Sequence, residues 1–236
     1  MKHLVIYFIA TSKYKEGFKY FKENLRYFFP DMRKTIVILS DGLENWNNVV
    51  EEDISYKVFH IDHFYWPIIA LFKMKYILDY KQDCDFVCYF NADLQFNPNY
   101  KIPLSEVLDL TKLNLTRHSW HYDDTLYDGN IFAYNIDRRS LAFISHEYTY
   151  VQSCFFLGPA EIIYKMCHDI SNWVKLDLKK NIIPQWHDES YLNKWCEENK
   201  ELCAEKKALV KGWNEGFSDD FPFAIIKTFT KDRRDY

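Results

Sequence analysis

Apolar residues along this chain fall into two kinds of stretch. Short unbroken runs rich in β-branched and aromatic residues occur at Leu4–Ala10, Thr35–Ser40, Tyr56–Ile61 and Phe86–Phe90. They are too brief for ordinary helices and are bounded by polar turns, so they predict strands. Between them, Phe18–Phe29 and Pro67–Tyr80 carry apolar residues at helical spacing in a charged background, and Pro30 is expected to end the first helix. Strand, helix and strand repeating in this order predict an α/β fold, with a mostly parallel central sheet flanked by helices. Farther along, Leu113–His118 and Tyr148–Leu157 read as strands and Ser119–Asp128 as a loop. Gly158-Pro159 opens a helix from about Ala160 to Trp173, and Asp188–Glu198 is a further helix. No linker, repeat or low-complexity tract interrupts the 236 residues, which predicts a single domain.

Phe86–Phe90 has almost no polar position and is expected to be buried on both faces, in the middle of the sheet. The chain turns polar directly at its carboxyl end, with Asn91 and Asp93 flanking Ala92. In open α/β sheets that end of a central strand is where ligands bind. The same residues serve equally well to start the turn that Asn97-Pro98-Asn99 completes.

Charge removes some function classes. The formal net charge is −4, which provides no global attraction to nucleic acid. Aromatic residues make up 19% of the chain, more than a core requires, which suits surfaces that stack on sugars or bases and equally reflects a codon bias. The six cysteines lack paired Cys-x-x-Cys spacing and are expected to be buried thiols. His60-x-x-His63 and His118-x-x-His121 have ligand spacing without a helix to carry it. Because Met1-Lys2-His3 runs straight into the first strand, a cytoplasmic protein is expected, and the sequon at Asn114-Leu115-Thr116 is then coincidental. The tail carries Lys227, Lys231, Arg233 and Arg234, a basic end that either closes over an anionic ligand or frays.

The most specific stretch is Pro184-Gln185-Trp186-His187-Asp188-Glu189-Ser190-Tyr191-Leu192-Asn193-Lys194-Trp195. An indole and two carboxylates stand at the start of a helix, where Asp188 can cap orphan amides. An indole beside carboxylates is also how proteins grip the apolar face of a hexose while bonding its hydroxyls.

At these residues the chain resembles glycosyltransferase family 6, the family of the blood-group A and B transferases and α-1,3-galactosyltransferases, and most of all its short bacterial members. The resemblance implies a GT-A fold and transfer of galactose or N-acetylgalactosamine, with retention, from the uridine diphosphate (UDP) sugar to a galactoside oligosaccharide or glycolipid. It divides the chain into a nucleotide-binding half, about residues 1–95, and an acceptor-binding half with the basic tail, about 96–236. Ile9, Ala10, Thr11 and Tyr14 sit where the family contacts uridine. Asn91, Ala92 and Asp93 sit at its Asp-x-Asp motif, and Gln152, Ser153 and Cys154 in the segment that selects the donor sugar. Glu189 takes the catalytic position, with a further acceptor contact. Asp188 is implied to bond donor hydroxyls, His118 and Trp186 to hold the acceptor, and Lys231 to meet the diphosphate, with Lys73, Arg233 and Arg234 as further cations.

Departures from the family pattern change the chemistry expected. Asn91 replaces the first aspartate that holds Mn2+ in the animal enzymes, so metal-independent catalysis is favoured. Cys154 replaces a Gly or Ala and Leu157 a small residue, which narrows the pocket for an N-acetyl group. Two other classes fit parts of the pattern: a glycoside hydrolase, which also needs two carboxylates, and a catalytically silent nucleotide-sugar-binding protein of the same fold. Peripheral contact with the inner membrane face is compatible with the basic tail.

Overall fold

The strand Phe86–Phe90 (β4) is buried at all five positions and lies inside a six-stranded sheet. The computed structural model describes residues 1–25, 29–42, 46, 54–97, 99–100, 102–117, 137–146, 148–207, 209–211 and 221–225. On one side of β4 run β1 (His3–Ile9), β2 (Arg33–Ser40) and β3 (Ile54–His60), all parallel to it. On its other side β7 (Val151–Pro159) is antiparallel, and β6 (Asn114–Arg117) pairs antiparallel with β7. The sheet order is therefore β3-β2-β1-β4-β7-β6. A smaller sheet joins β5 (Leu94–Phe96) to β9 (Phe223–Ile225) and β9 to β8 (Val210–Lys211).

Period-2 alternation along the central strands builds two cores from one sheet. Val5, Tyr7, Val37, Leu39, Val87 and Tyr89 face α3 (Lys73–Asp79) and α5 (Ala160–Leu178), meeting Met74, Ile77, Ile163, Met166 and Ile170. Leu4, Ile6, Phe8, Ile36, Ile38, Phe86, Cys88 and Phe90 face the other way onto Phe21, Leu25, Phe29 and Phe223. Both faces are covered, so the runs need no polar residue, which is why they read as unbroken.

Several element boundaries differ from expectation. The first helix begins as a 3-10 turn (Ser12–Gly17) and continues as α1 (Phe18–Asn24); Phe29 already adopts φ 51, a left-handed conformation that cannot continue a helix. The helix expected over Pro67–Tyr80 is broken at Phe72 into α2 (Ile68–Leu71) and α3, which puts Lys73 at a buried helix start. A short α4 (Leu104–Val107) precedes β6. β7 extends through Gly158-Pro159, and α5 continues past Trp173 because buried Asp177 accepts hydrogen bonds from Ser140 Oγ, the Leu141 N–H and Tyr191 Oη. All six cysteines are free, but Cys84 and Cys154 are only half-buried. The loop expected over Ser119–Asp128 lies outside the described residues, among which no helix is long and apolar enough to cross a membrane.

Gly158 is required where β7 passes the turn before β6, since a Cβ there would stand 2.8 Å from the Lys112 carbonyl oxygen. Gly158→Ala is expected to destabilise the fold by about 1–3 kcal/mol. Urea titration should show a lower midpoint at unchanged slope, and an unchanged midpoint would contradict the contact.

Candidate active site

Four segments reach the same end of the sheet. The parallel strands β1 and β4 end there with Ala10 and Asn91, and antiparallel β7 begins there with Val151 to Cys154. The junction is tied directly, because the Asn91 N–H donates to the Cys154 carbonyl at 2.9 Å. Over this edge lies the start of α6 (His187–Glu198). Asn193, one turn after Glu189, clamps the helix to β7: Oδ1 accepts from the Val151 N–H and Nδ2 donates to the Val151 carbonyl, each at 2.9 Å.

Asp188 does not take the capping position that the start of a helix made available to it. Trp186 is the N-cap and no side chain caps the helix. Asp188 instead turns inward, 5% exposed, and accepts from Lys73 Nζ at 2.6 Å. Lys73 also donates to Ser153 O at 2.9 Å and Ser153 Oγ at 3.1 Å, and it lies 4.5 Å from the centroid of the Tyr89 ring. An ammonium has three N–H groups, and all three are engaged. Burial by itself would lower the Lys73 pKa, but the adjoining Asp188 carboxylate outweighs it, and the net shift is upward. Lys73 is therefore a charged internal strut, and its bonds leave no N–H for the diphosphate that the resemblance offered it.

Glu189 sits beside this pair. Its Oε1 accepts from Tyr150 Oη at 2.6 Å and its Oε2 from the Ser153 N–H at 2.9 Å, so both carboxylate oxygens are held. Burial raises its pKa above the ordinary glutamate value, and the Tyr150 and Ser153 hydrogen bonds oppose that rise without cancelling it. Cys154 stands between carboxylates: burial pushes its thiol up, with Asp93 and Glu189 adding to the shift, and Sγ donates to Gln152 Oε1 at 3.1 Å. Thiolate chemistry is thereby disfavoured.

Asn91 and Asp93 form a turn and a polar pair at once. The Leu94 N–H closes the turn on Asn91 O at 3.0 Å. Tyr89 Oη donates to Asn91 Oδ1 at 2.8 Å, and Asn91 Nδ2 donates to Asp93 Oδ1 at 2.5 Å. An ionised carboxylate only accepts, so the amide nitrogen must face Asp93, and the amide oxygen then faces the tyrosine. Among the described residues no group of three or more His, Cys, Asp or Glu is placed to hold a metal ion.

On the neighbouring strand, Ala10 and Thr11 are buried, whereas Ile9 and Tyr14 are half-buried. Ser12 takes φ 52, and its N–H reaches both Asp41 oxygens at 3.2 and 3.1 Å, which hangs the turn from the end of β2. Trp186 is half-buried at the head of α6. His187, at φ 51, packs against Trp66 with ring centroids 4.3 Å apart. A left-handed non-glycine residue at a site is a conformation that the surrounding packing has to hold.

A model of glycosyltransferase family 6 matches residues 4–205. The chain belongs to glycosyltransferase family 6. Among curated proteins it is similar to the O-antigen biosynthesis glycosyltransferase WbnI of Escherichia coli, 22% identical over 227 residues, which span 94% of this chain and 92% of the relative. The mixed sheet flanked by helices is the GT-A-like fold of this family 6 glycosyltransferase.

Lys73, Asn91, Ala92, Asp93, Gln152, Ser153, Cys154, Asp188 and Glu189 are brought together, with Ile9 to Tyr14 along the same edge and Trp186 at the helix start. His118, Lys231, Arg233 and Arg234 lie outside the described residues. Sequence reasoning missed Tyr89, Tyr150 and the clamp role of Asn193. Only the position of Asn193, four residues after Glu189, could have signalled its role.

Removing one member of the buried ion pair leaves the other uncompensated. Lys73→Met is expected to lower stability by roughly 3–5 kcal/mol, with partial recovery in Lys73→Met/Asp188→Asn. Equal denaturation midpoints for the single and double variants would contradict the coupling.

Proposed function

We propose that the protein is a retaining transferase that moves galactose or N-acetylgalactosamine from a UDP-sugar in α-1,3 linkage to a galactoside acceptor. The observation that carries this reading is Glu189, a half-buried carboxylate with both oxygens held, beside a charge-neutralised Lys73–Asp188 pair at the carboxyl end of the central strands. Family membership and the O-antigen relative support glycosyl transfer; the donor, linkage and stereochemistry are our inference.

In this reading residues 1–95 receive the nucleotide, with Ile9 to Tyr14 around uridine, and the remainder receives the acceptor through His118 and Trp186. The C1–O bond to the diphosphate breaks and its electron pair leaves with UDP. The acceptor hydroxyl then bonds to C1 from the same face, and its proton passes to the departing diphosphate. Positive charge develops on the sugar ring, and a carboxylate already held in place by fixed donors stabilises it better than one that must be oriented in water. Asp188 receives a donor hydroxyl with Oδ1, the oxygen not engaged by Lys73, and Lys231 neutralises the diphosphate from the tail. Cys154 favours the unsubstituted galactose.

Catalysis without a metal ion is part of the proposal. A hard divalent cation needs several oxygen ligands. Asn91 brings a neutral amide where a second carboxylate would stand, and its nitrogen faces Asp93 while its oxygen faces Tyr89, so this donor set is a poor fit to one. A bacterial surface glycan built at the inner membrane face is the acceptor context this reading favours.

Transfer from UDP-galactose and from its N-acetylgalactosamine counterpart to a panel of β-galactosides is the direct test, with Mn2+ and with excess chelator. Turnover is expected to survive chelation. Dependence on added Mn2+ would refute the metal-free reading, and nucleotide binding without turnover would leave a silent binding protein. Glu189→Gln should fold normally and lose about 10²-fold or more in kcat. Since the Glu189 pKa is raised and the anion is the working form, wild-type activity should fall on acidification at a pH above the ordinary carboxylate range, near about 4.3. A rate flat down to that range would count against the assignment.

A further inference from the structure

We infer that Tyr150 is the positioning residue of the site: its hydroxyl fixes the Glu189 carboxylate and keeps it ionised inside the protein. The inference rests on the transferase reading for its catalytic consequence only. Tyr150 immediately precedes β7 and is 4% exposed, and its Oη to Glu189 Oε1 distance of 2.6 Å is that of a short, charge-assisted hydrogen bond.

The groups around Glu189 explain why such a donor is needed. Asp188 is the preceding residue, and its negative charge raises the Glu189 pKa, as burial does. Lys73 is the nearby cation, but its three N–H groups go to Asp188 and to Ser153 O and Oγ, so it attracts Glu189 only through space. Direct stabilisation of the anion therefore falls to two donors, the Ser153 N–H and Tyr150 Oη. The backbone donor is fixed by the strand, and no substitution short of proline removes it. The phenol is the adjustable one, and its own pKa is raised by burial and by Glu189, so it remains a protonated donor.

A hydrogen bond to one oxygen alone lets a carboxylate rotate about its Cγ–Cδ bond. Bonds to both oxygens, from Ser153 in β7 and from Tyr150 just before it, fix the plane of the carboxylate. Asn193 fixes the helix beneath it by bonding Val151, the residue after Tyr150, and by donating to the Glu189 carbonyl at 2.9 Å. Tyr150, Ser153 and Asn193 thus tie one turn of α6 to the start of β7 and the residue before it, around a single carboxylate.

Tyr150→Phe removes one oxygen atom and leaves the ring packing in place. Glu189 should then titrate about one pH unit or more higher, because a hydrogen bond to a charged group is lost. The readout is 13C NMR of protein labelled at glutamate carboxyl carbons, with the Glu189 signal assigned by its absence in Glu189→Gln; it needs no turnover. In parallel, kcat near neutral pH should drop roughly tenfold. The acid limb of its pH profile should move upward with the NMR midpoint, while KM for the donor stays within about twofold. A purely structural tyrosine would lower the unfolding midpoint and leave the Glu189 titration unmoved; that result would overturn the inference. If the titration moves while the wild type transfers no sugar, the positioning role stands and the transferase reading falls.

Discussion

The ammonium of Lys73, closed inside the protein, is the constraint on which the site depends. Its three bonds join the first residue of α3, the backbone and side chain of Ser153 in β7, and Asp188 at the start of α6. A buried charge is tolerated only when paired and fully hydrogen-bonded, so each partner has to be present for the others to stay. The break at Phe72 follows the same geometry, since it brings Lys73 to a helix start on the buried side. The strut is not a gain in stability over an apolar core of equal volume. It sets the register between three elements that meet at one edge of the sheet, and Glu189 inherits its place from that register.

Electrostatics at this edge is arranged in two layers. Beneath, Lys73 and Asp188 cancel. Above, Glu189 and Asp93 remain as carboxylates whose oxygens are held by neutral donors: the Tyr150 hydroxyl, the Ser153 N–H and the Asn91 amide. Neutral donors orient an anion without quenching its charge, which suits a site proposed to meet a cationic sugar. A cation at the same place would do the opposite. In our reading the substitution of Asn91 for an acidic residue therefore belongs with the rest of the arrangement, because a second carboxylate facing Asp93 would require a counter-ion.

The comparison with related proteins and the geometry address different questions. Family membership, with a relative similar over nearly the whole chain, establishes a glycosyltransferase. The side chains specify how such chemistry would be supported here, and they differ from the simplest transfer of roles. Lys73, one of the further cations that the resemblance offered to the diphosphate beside Lys231, is bonded inside the protein. Asp188, implied by the resemblance to bond donor hydroxyls, has one oxygen bonded to Lys73. In both cases the residue is at the site, while its immediate contact is with protein.

The sheet and its carboxyl edge were legible in the sequence because burial on both faces leaves unbroken apolar runs, and period-2 and helical spacings differ enough to separate strands from helices. Phe86–Phe90 and the polar switch at Asn91 were visible for that reason, whereas the Trp186 to Asn193 stretch was visible through its indole and paired carboxylates and its resemblance to a family motif. Boundaries set by long-range bonds were not: α5 runs past Trp173 because Asp177 is anchored by Ser140 and Tyr191, neither of which is local to it. Nor could the sequence distinguish a surface lysine from a buried one, or assign a hydrogen bond between Tyr150 and a glutamate 39 residues later. Composition and periodicity determined the class of fold and where along it a site would form. Tertiary structure alone decided which charges cancel and which remain, because pairing depends on distances between elements that sequence spacing does not encode.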